Sequence, residues 1–179
     1  MKFFTKEEIK KVGLILGVLL AVSFFNFRGS LTKARNAQRN SDLTYIREKL
    51  EEYQSEVGHF PAAGRDGTIL ACKSEITVVN LEFKRLENPA PCRWGEDSLV
   101  NFFSDTPKTI VERLPVDPQN DDGVRYIYKS SLSRFQIYAS LEGKGEAEYN
   151  EKVAALKIKC GTRICNFGKA FSDTPLDKT

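Results

Sequence analysis

The sequence predicts an α+β fold: one long N-terminal helix, apolar in its first part, laid across a small antiparallel sheet. Three observations point there. Val12 to Phe27 is an unbroken run of sixteen uncharged residues. Leu43, Ile46, Leu50, Tyr53 and Val57 then follow at spacings of 3, 4, 3 and 4, which aligns them on one helix face. Finally, Val124, Tyr126 and Tyr128, and after them Phe135, Ile137, Ala139 and Leu141, recur at every second position, the period of a strand.

The apolar run is the first element. As a helix it spans about 24 Å at 1.5 Å per residue, against a hydrocarbon core of about 30 Å. Lys10, Lys11 and Arg28 flank it and can reach the interfaces, and local thinning of the bilayer absorbs the remainder. Residues 1–11 thus read as a charged, leader-like segment, 12–27 as a transmembrane helix and 28–58 as its amphipathic continuation. Gly13 and Gly17 form a G-x-x-x-G, which lets helices approach closely in lipid, although such a pair also arises by chance. A cleaved secretory signal is the rival reading, with Val12 to Leu20 as its core and Ala21-Val22-Ser23 as its cleavage site. Phe24, Phe25 and Phe27 carry the apolar run past that site, which favours retention. Basic residues are balanced across the span, Lys2, Lys6, Lys10 and Lys11 before it and Arg28, Lys33, Arg35 and Arg39 after it, so charge does not orient it.

The amphipathic stretch comes next. Arg47, Glu48, Lys49, Glu51 and Glu52 fall mostly off the apolar face, and Arg47 can pair with Glu51 one turn on. Gly29-Ser30 is a point for a bend. Gly58 supplies a C-terminal stop and Pro61 prevents continuation. Residues 59–165 then form the head. Glu75 to Phe83 is rich in β-branched residues and reads as a strand. Ser130 to Ser133 is a turn joining the two alternating segments as a hairpin. Ser98 to Phe103 and Lys108 to Leu114 read as short helical pieces, the second closed by Pro115. Val153 to Lys159 reads as a strand or short helix. Residues 166–179 read as a polar, loosely held tail.

With 179 residues the chain has room for one domain and an anchor. A net charge of +3 with dispersed basic residues argues against nucleic acid as a partner without closing the question. Cys72, Cys92, Cys160 and Cys165 lack the paired knuckles of a four-cysteine zinc site, and two disulfides closing local loops, Cys72–Cys92 and Cys160–Cys165, fit better. Four buried free thiols are the remaining alternative. Oxidised cysteines place the head outside the cytoplasm.

No catalytic constellation is visible, and an enzyme is not expected. His59 is the only histidine, which rules out a His-based triad or multi-His metal centre built from this chain alone. Gly143-Lys144-Gly145 has the wrong spacing for a phosphate loop. Trp94 is expected beside a disulfide. Asp117, Asn120, Asp121 and Asp122 form an oxygen-rich segment in which Asp117, Asp121 and Asp122 are calcium candidates. An ordinary turn bounded by Pro118 and Gly123 explains the same residues. No other cofactor is implied.

Several motifs, taken in order, resemble the type IV pilin family, including the pseudopilins of type II secretion. Phe4-Thr5-Lys6-Glu7-Glu8-Ile9 is similar to the family's N-terminal start, with Glu8 at its signature glutamate. Ala34-Arg35-Asn36-Ala37-Gln38-Arg39 and Asp42-Leu43 resemble the stretch where pilin helices leave the membrane. Tyr53, Gly58, Phe60 and Pro61 match the helix exit, and Leu114-Pro115-Val116-Asp117-Pro118 with Tyr126-Ile127-Tyr128 is similar to a segment of major pseudopilins. The resemblance touches most of residues 4–141. It implies a pilin-like fold and a structural subunit that self-associates, or joins other pilin-like subunits, into a filament extruded from the cytoplasmic membrane. Phe4, Glu8, Gly13 and Gly17 would be its assembly residues.

In the family Glu8 meets the N-terminal amine of a neighbouring subunit. Here that amine would sit on Met1, or Lys6 or Lys10 would take its place. The alternative is that Glu7 and Glu8 cap a helix beginning near Thr5. Two departures stand out. Phe3 occupies the position where prepilin peptidase cuts after glycine, which argues against that peptidase as a partner. Lys6, Glu7, Glu8, Lys10 and Lys11 interrupt the family's apolar start. Other functions open to this sequence are a membrane-tethered or secreted monomeric binding domain and a DNA-uptake (competence) pilin.

Overall fold

A helix of 52 residues, α1, runs from Lys6 to Val57 in the computed structural model, which describes residues 6–72, 89–104 and 106–177. Phe4 and the strand expected over Glu75 to Phe83 lie outside the described residues. Two compact units are distinguished, residues 1–37 and 38–179. Within the first, the helix continues through Gly29-Ser30 without a break in its assignment, and the Ser30 hydroxyl donates to the Asn26 carbonyl one turn back at 3.0 Å.

In the second unit the 3-4 stripe is the heart of the core. Leu43, Ile46, Leu50 and Tyr53 are each no more than 2% exposed, and Val57 packs at their edge. Burying one such aliphatic side chain stabilises by about 1.5–3 kcal/mol. The helix ends at Gly58, whose φ of 86° is open to glycine at little cost, and its N–H bonds the Gln54 carbonyl at 2.8 Å.

Two sheets and a small ribbon complete this unit. Strands β1 (Ala62–Ala63), β2 (Ile69–Cys72), β3 (Ala90–Pro91), β4 (Leu99–Asn101) and β5 (Lys108–Val111) form an antiparallel sheet. Its order is β1-β2-β4-β5, with β3 also on β2. This corrects the helical reading of 98–103 and 108–114. All three residues of β4 are buried, so it shows no alternation, and β-branched Val100, Thr109, Ile110 and Val111 suit a pleated surface better than a helix. Leu99 pairs with Val111 and Asn101 with Lys108.

The expected hairpin forms from β6 (Ile127–Ser130) and β7 (Phe135–Ala139), with Lys129 opposite Gln136. A short helix, α2 (Glu151–Ala155), is capped by the Asn150 side chain, which accepts from the N–H groups of Lys152 and Val153. Strands β8 (Lys159–Cys160) and β9 (Arg163–Ile164) pair as a ribbon. The last strand, β10 (Phe167–Ala170), pairs antiparallel with β7 to give the order β10-β7-β6. The C-terminal stretch is therefore not the loose tail its polarity suggested. Phe167 is 4% exposed, Phe171 meets Phe60 edge-on and stacks on Phe135, and Tyr138 donates its hydroxyl to the Leu176 carbonyl at 3.0 Å. Buried Phe167 and partly buried Phe171 anchor the segment, and the surrounding polar residues hide them from a composition reading.

All five residues of β7 are buried because its sheet is covered on both faces. Phe135, Ile137 and Ala139 face the α1 stripe, while Tyr138 joins a second cluster with Val153, Cys160 and Cys165. Burial pushes the Tyr138 hydroxyl up to about 12.

Candidate functional site

Residues 12–27 of α1 are uncharged, with Ser23 and Asn26 their only polar side chains, and are exposed at every position whose side chain is described. Exposure runs from 47% at Val12 to 72% at Leu14, and includes Ile15, Leu16, Val18, Leu19, Leu20, Val22, Phe24 and Phe27. At 100° per residue, Leu14, Ile15 and Leu16, followed by Val18, Leu19 and Leu20, leave no polar side over residues 12–22. Among the described residues this is the one helix long and apolar enough to cross a membrane. A helix apolar all round is stable when surrounded by a protein interior or by lipid, and the first unit offers no such interior.

Its ends carry the polar groups. Glu7 and Glu8 lie in the first turn, where negative charge suits the helix dipole, and Lys10 reaches Glu7 at 3.0 Å. At the other end the Arg28 guanidinium lies 4.4 Å from the centre of the Phe24 ring. Gly13 and Gly17 have no neighbouring atom within 4 Å of where a Cβ would stand, so both present bare backbone at the helix surface. Of the expected assembly residues, Glu8, Gly13 and Gly17 thus share one exposed helical segment, and Phe4 lies outside the described residues.

The second unit holds a buried ionic group that the sequence reading missed. Arg39 is fully buried, and its guanidinium donates from Nε to Asp117 Oδ2 at 2.8 Å and from Nη2 to Asp117 Oδ1 at 3.0 Å. Nη1 reaches Glu142 Oε1 at 3.0 Å and Nη2 also reaches Gln119 Oε1 at 2.8 Å. Desolvation works against the Arg39 charge, but the hydrogen bonds and charge of Asp117, then those of Glu142, outweigh it and raise its pKa. This bidentate fork ties the helix to two loops by geometry that lysine cannot reproduce. A signal was present. Stepping back four residues from Leu43 continues the 3-4 stripe onto Arg39, a charged residue on the buried face.

The same arrangement engages two of the calcium candidates in other bonds. Both Asp117 oxygens are committed to Arg39, and Asp117 Oδ1 also accepts from the Gln119 N–H at 2.8 Å. Asp122 accepts from the Gln119 amide, and Asp121 is exposed. Asn120–Asp122 is a single 3₁₀ turn ended by Gly123. Among the described residues no group of three or more His, Cys, Asp or Glu side chains is placed to hold a metal.

Asp42 stands nearby. It accepts the Tyr126 hydroxyl at 2.7 Å, and Trp94 packs edge-on against the Tyr126 ring at 5.8 Å. Burial raises the Asp42 pKa, the Tyr126 hydrogen bond partly offsets that, and the Asp117 charge adds to the rise. The folded protein therefore holds this proton more tightly than the unfolded chain, so the Asp42 contribution to stability grows as pH falls through its folded pKa. Asp42→Asn keeps an acceptor for Tyr126 and removes the charge. Urea unfolding should show D42N gaining most over wild type at neutral pH, with the gap closing on acidification towards pH ~4. A gap that widens on acidification would contradict this assignment.

The cysteines pair as Cys72–Cys92 and Cys160–Cys165, closing loops with separations of 20 and 5 residues. His59 is half-buried in the helix-exit turn, edge-on to Phe103 at 5.2 Å. No acid, base or nucleophile is assembled around it among the described residues. Comparison of the chain with protein-family models, curated proteins and solved structures returns no match.

Proposed function

We propose that this chain is a pilin-like structural subunit, anchored in the cytoplasmic membrane by residues 12–27 with its head outside the cytoplasm. It assembles into a filament by packing that helix against copies or kin. The observation that carries the reading is the helix itself, with large apolar side chains exposed on all faces at Leu14, Leu16, Leu19 and Leu20. In lipid such a surface is solvated by acyl chains. In a filament it is covered by neighbouring helices, and the open backbone at Gly13 and Gly17 allows close approach. The two disulfides support an oxidising compartment for the head.

The test combines location with shape. Sheared cell-surface material labelled with an antibody to the head should show filaments, and purified chain should retain residues 12–27 at its N-terminal end. Leu16→Arg places a charge mid-span at a cost of about 2.5–3.5 kcal/mol, and should abolish both membrane retention and filaments. A native product beginning after Ser23, or only dispersed protein in the sheared fraction, would overturn the filament reading.

A further inference from the structure

We propose that the head binds an extended acidic peptide segment of another protein in a groove on the sheet face turned away from α1. The groove encloses about 970 Å³ beside β6. Strand alternation sets its floor. Tyr128 and Phe135 turn into the α1 core, which leaves Ile127 and Lys129 on the opposite face. There Ile127 and Ile158, at the margin of the second apolar cluster, supply a partly exposed aliphatic floor.

The charge pattern selects the ligand. Arg65, Lys129, Arg134 and Lys159 all line this groove, and among the described residues none of the four forms an ion pair. Elsewhere in the same unit several basic side chains are paired, Lys49 with Glu52 at 2.7 Å, Arg93 with Asp97 at 2.9 Å, and Lys108 with Glu56, and the groove is distinguished by gathering its four on one space. Among the described residues the groove's single carboxylate is Asp66, whose Oδ1 accepts from the Thr68 hydroxyl at 2.7 Å and from the Thr68 backbone N–H at 3.3 Å, so that oxygen is turned to its own loop. Among the described residues four cations therefore face one space that a single carboxylate shares.

Several anions could answer that charge, and the floor discriminates among them. Single-stranded nucleic acid is held on exposed aromatic faces. The aromatics that line this groove, Tyr128 and Phe135, are 0% and 1% exposed and offer none. An extended peptide matches better, because alternate residues point opposite ways. Carboxylates on one side can take the arginines and lysines, while aliphatic side chains on the other cover Ile127 and Ile158. The Ser130 and Thr174 hydroxyls at the groove serve the peptide backbone. This assignment rests on the groove alone and stands whether or not the chain forms filaments.

Fluorescence anisotropy on the full-length chain in zwitterionic detergent provides the test, using a short labelled peptide that alternates glutamate and leucine. Binding is expected, weakening steeply with added salt because the cations are exposed. The double variant R65E/R134E should weaken it by about tenfold or more, and the neutral R65Q/R134Q by less. Both arginines are exposed, and unchanged far-ultraviolet circular dichroism verifies that the variants fold. The proposal fails if the acidic peptide does not bind, or if its glutamine-for-glutamate counterpart binds equally well. It fails equally if R65E/R134E binds like wild type, or if single-stranded oligothymidylate binds more tightly than the acidic peptide.

Discussion

Replacing Arg39 by alanine is expected to lower the stability of the head by about 3–5 kcal/mol, the loss typical of breaking a buried ion pair from one side. The Asp117 side chain is 0% exposed, so it cannot regain water when the guanidinium goes. It would keep only the Gln119 N–H at 2.8 Å as a partner among the bonds described. Glu142 is better placed, because its side chain is 16% exposed and Arg163 stands 3.9 Å away. A loss of this size is a large share of the 5–15 kcal/mol that holds an ordinary domain together. The cost comes from stranding a charge, so removing both partners should be far milder. The double variant R39M/D117L leaves apolar groups in place of the buried fork and should recover much of the loss, short of full recovery because the Gln119 N–H is left without its acceptor. Urea unfolding of the full chain in detergent measures all three proteins. A loss below about 1 kcal/mol for R39A would mean the pair behaves as a solvent-exposed salt bridge.

The second large effect is expected at Gly161, which combines a positive φ of 68° with a backbone crossing. A Cβ added there would stand 1.9 Å from the Gly123 carbonyl oxygen and 3.3 Å from the Arg125 nitrogen. Both are main-chain atoms, and they belong to a tight contact. Val124 bridges Gly161, the Thr162 N–H donates to the Gly123 carbonyl at 3.1 Å, and the Arg125 N–H to the Cys160 carbonyl at 3.3 Å. No rotamer change can relieve such an overlap, so Gly161→Ala must separate the two backbone segments. A loss above about 4 kcal/mol is expected, in the exceptional range for a point change. Gly143→Ala is the matched control. Its φ is 94° but nothing lies within 4 Å, so it carries only the conformational strain, about 1–3 kcal/mol. Equal losses for the two variants would show that strain, and not the crossing, governs Gly161.

Much of this protein could be read along the chain, for a reason visible in particular residues. The apolar run from Val12 to Phe27, the 3-4 stripe from Leu43 to Val57 and the alternation in β6 and β7 are local patterns, repeated over several turns or residue pairs. Each declares its partner environment without naming the partner. The cysteine loops are similar, since Cys72–Cys92 and Cys160–Cys165 close over short separations. Gly58 ends the helix by its own backbone freedom.

Other features depended on contacts that no window of sequence contains. β4 has three residues buried on both faces, so it offers no alternation to read, and its identity as a strand comes from pairing with β2 and β5. β10 is held by a strand some thirty positions earlier and by two phenylalanines set among polar residues. Arg39 looked like one more basic residue after a membrane span until its partner, 78 positions away, was brought to it. The groove cations lie in three separate segments, and only folding gathers them on one face. Periodicity was thus legible in the sequence, which also favoured the cysteine pairing the structure shows. Which charges are buried and which are left facing a common space was decided by tertiary structure, because desolvation and charge pairing depend on distance in space.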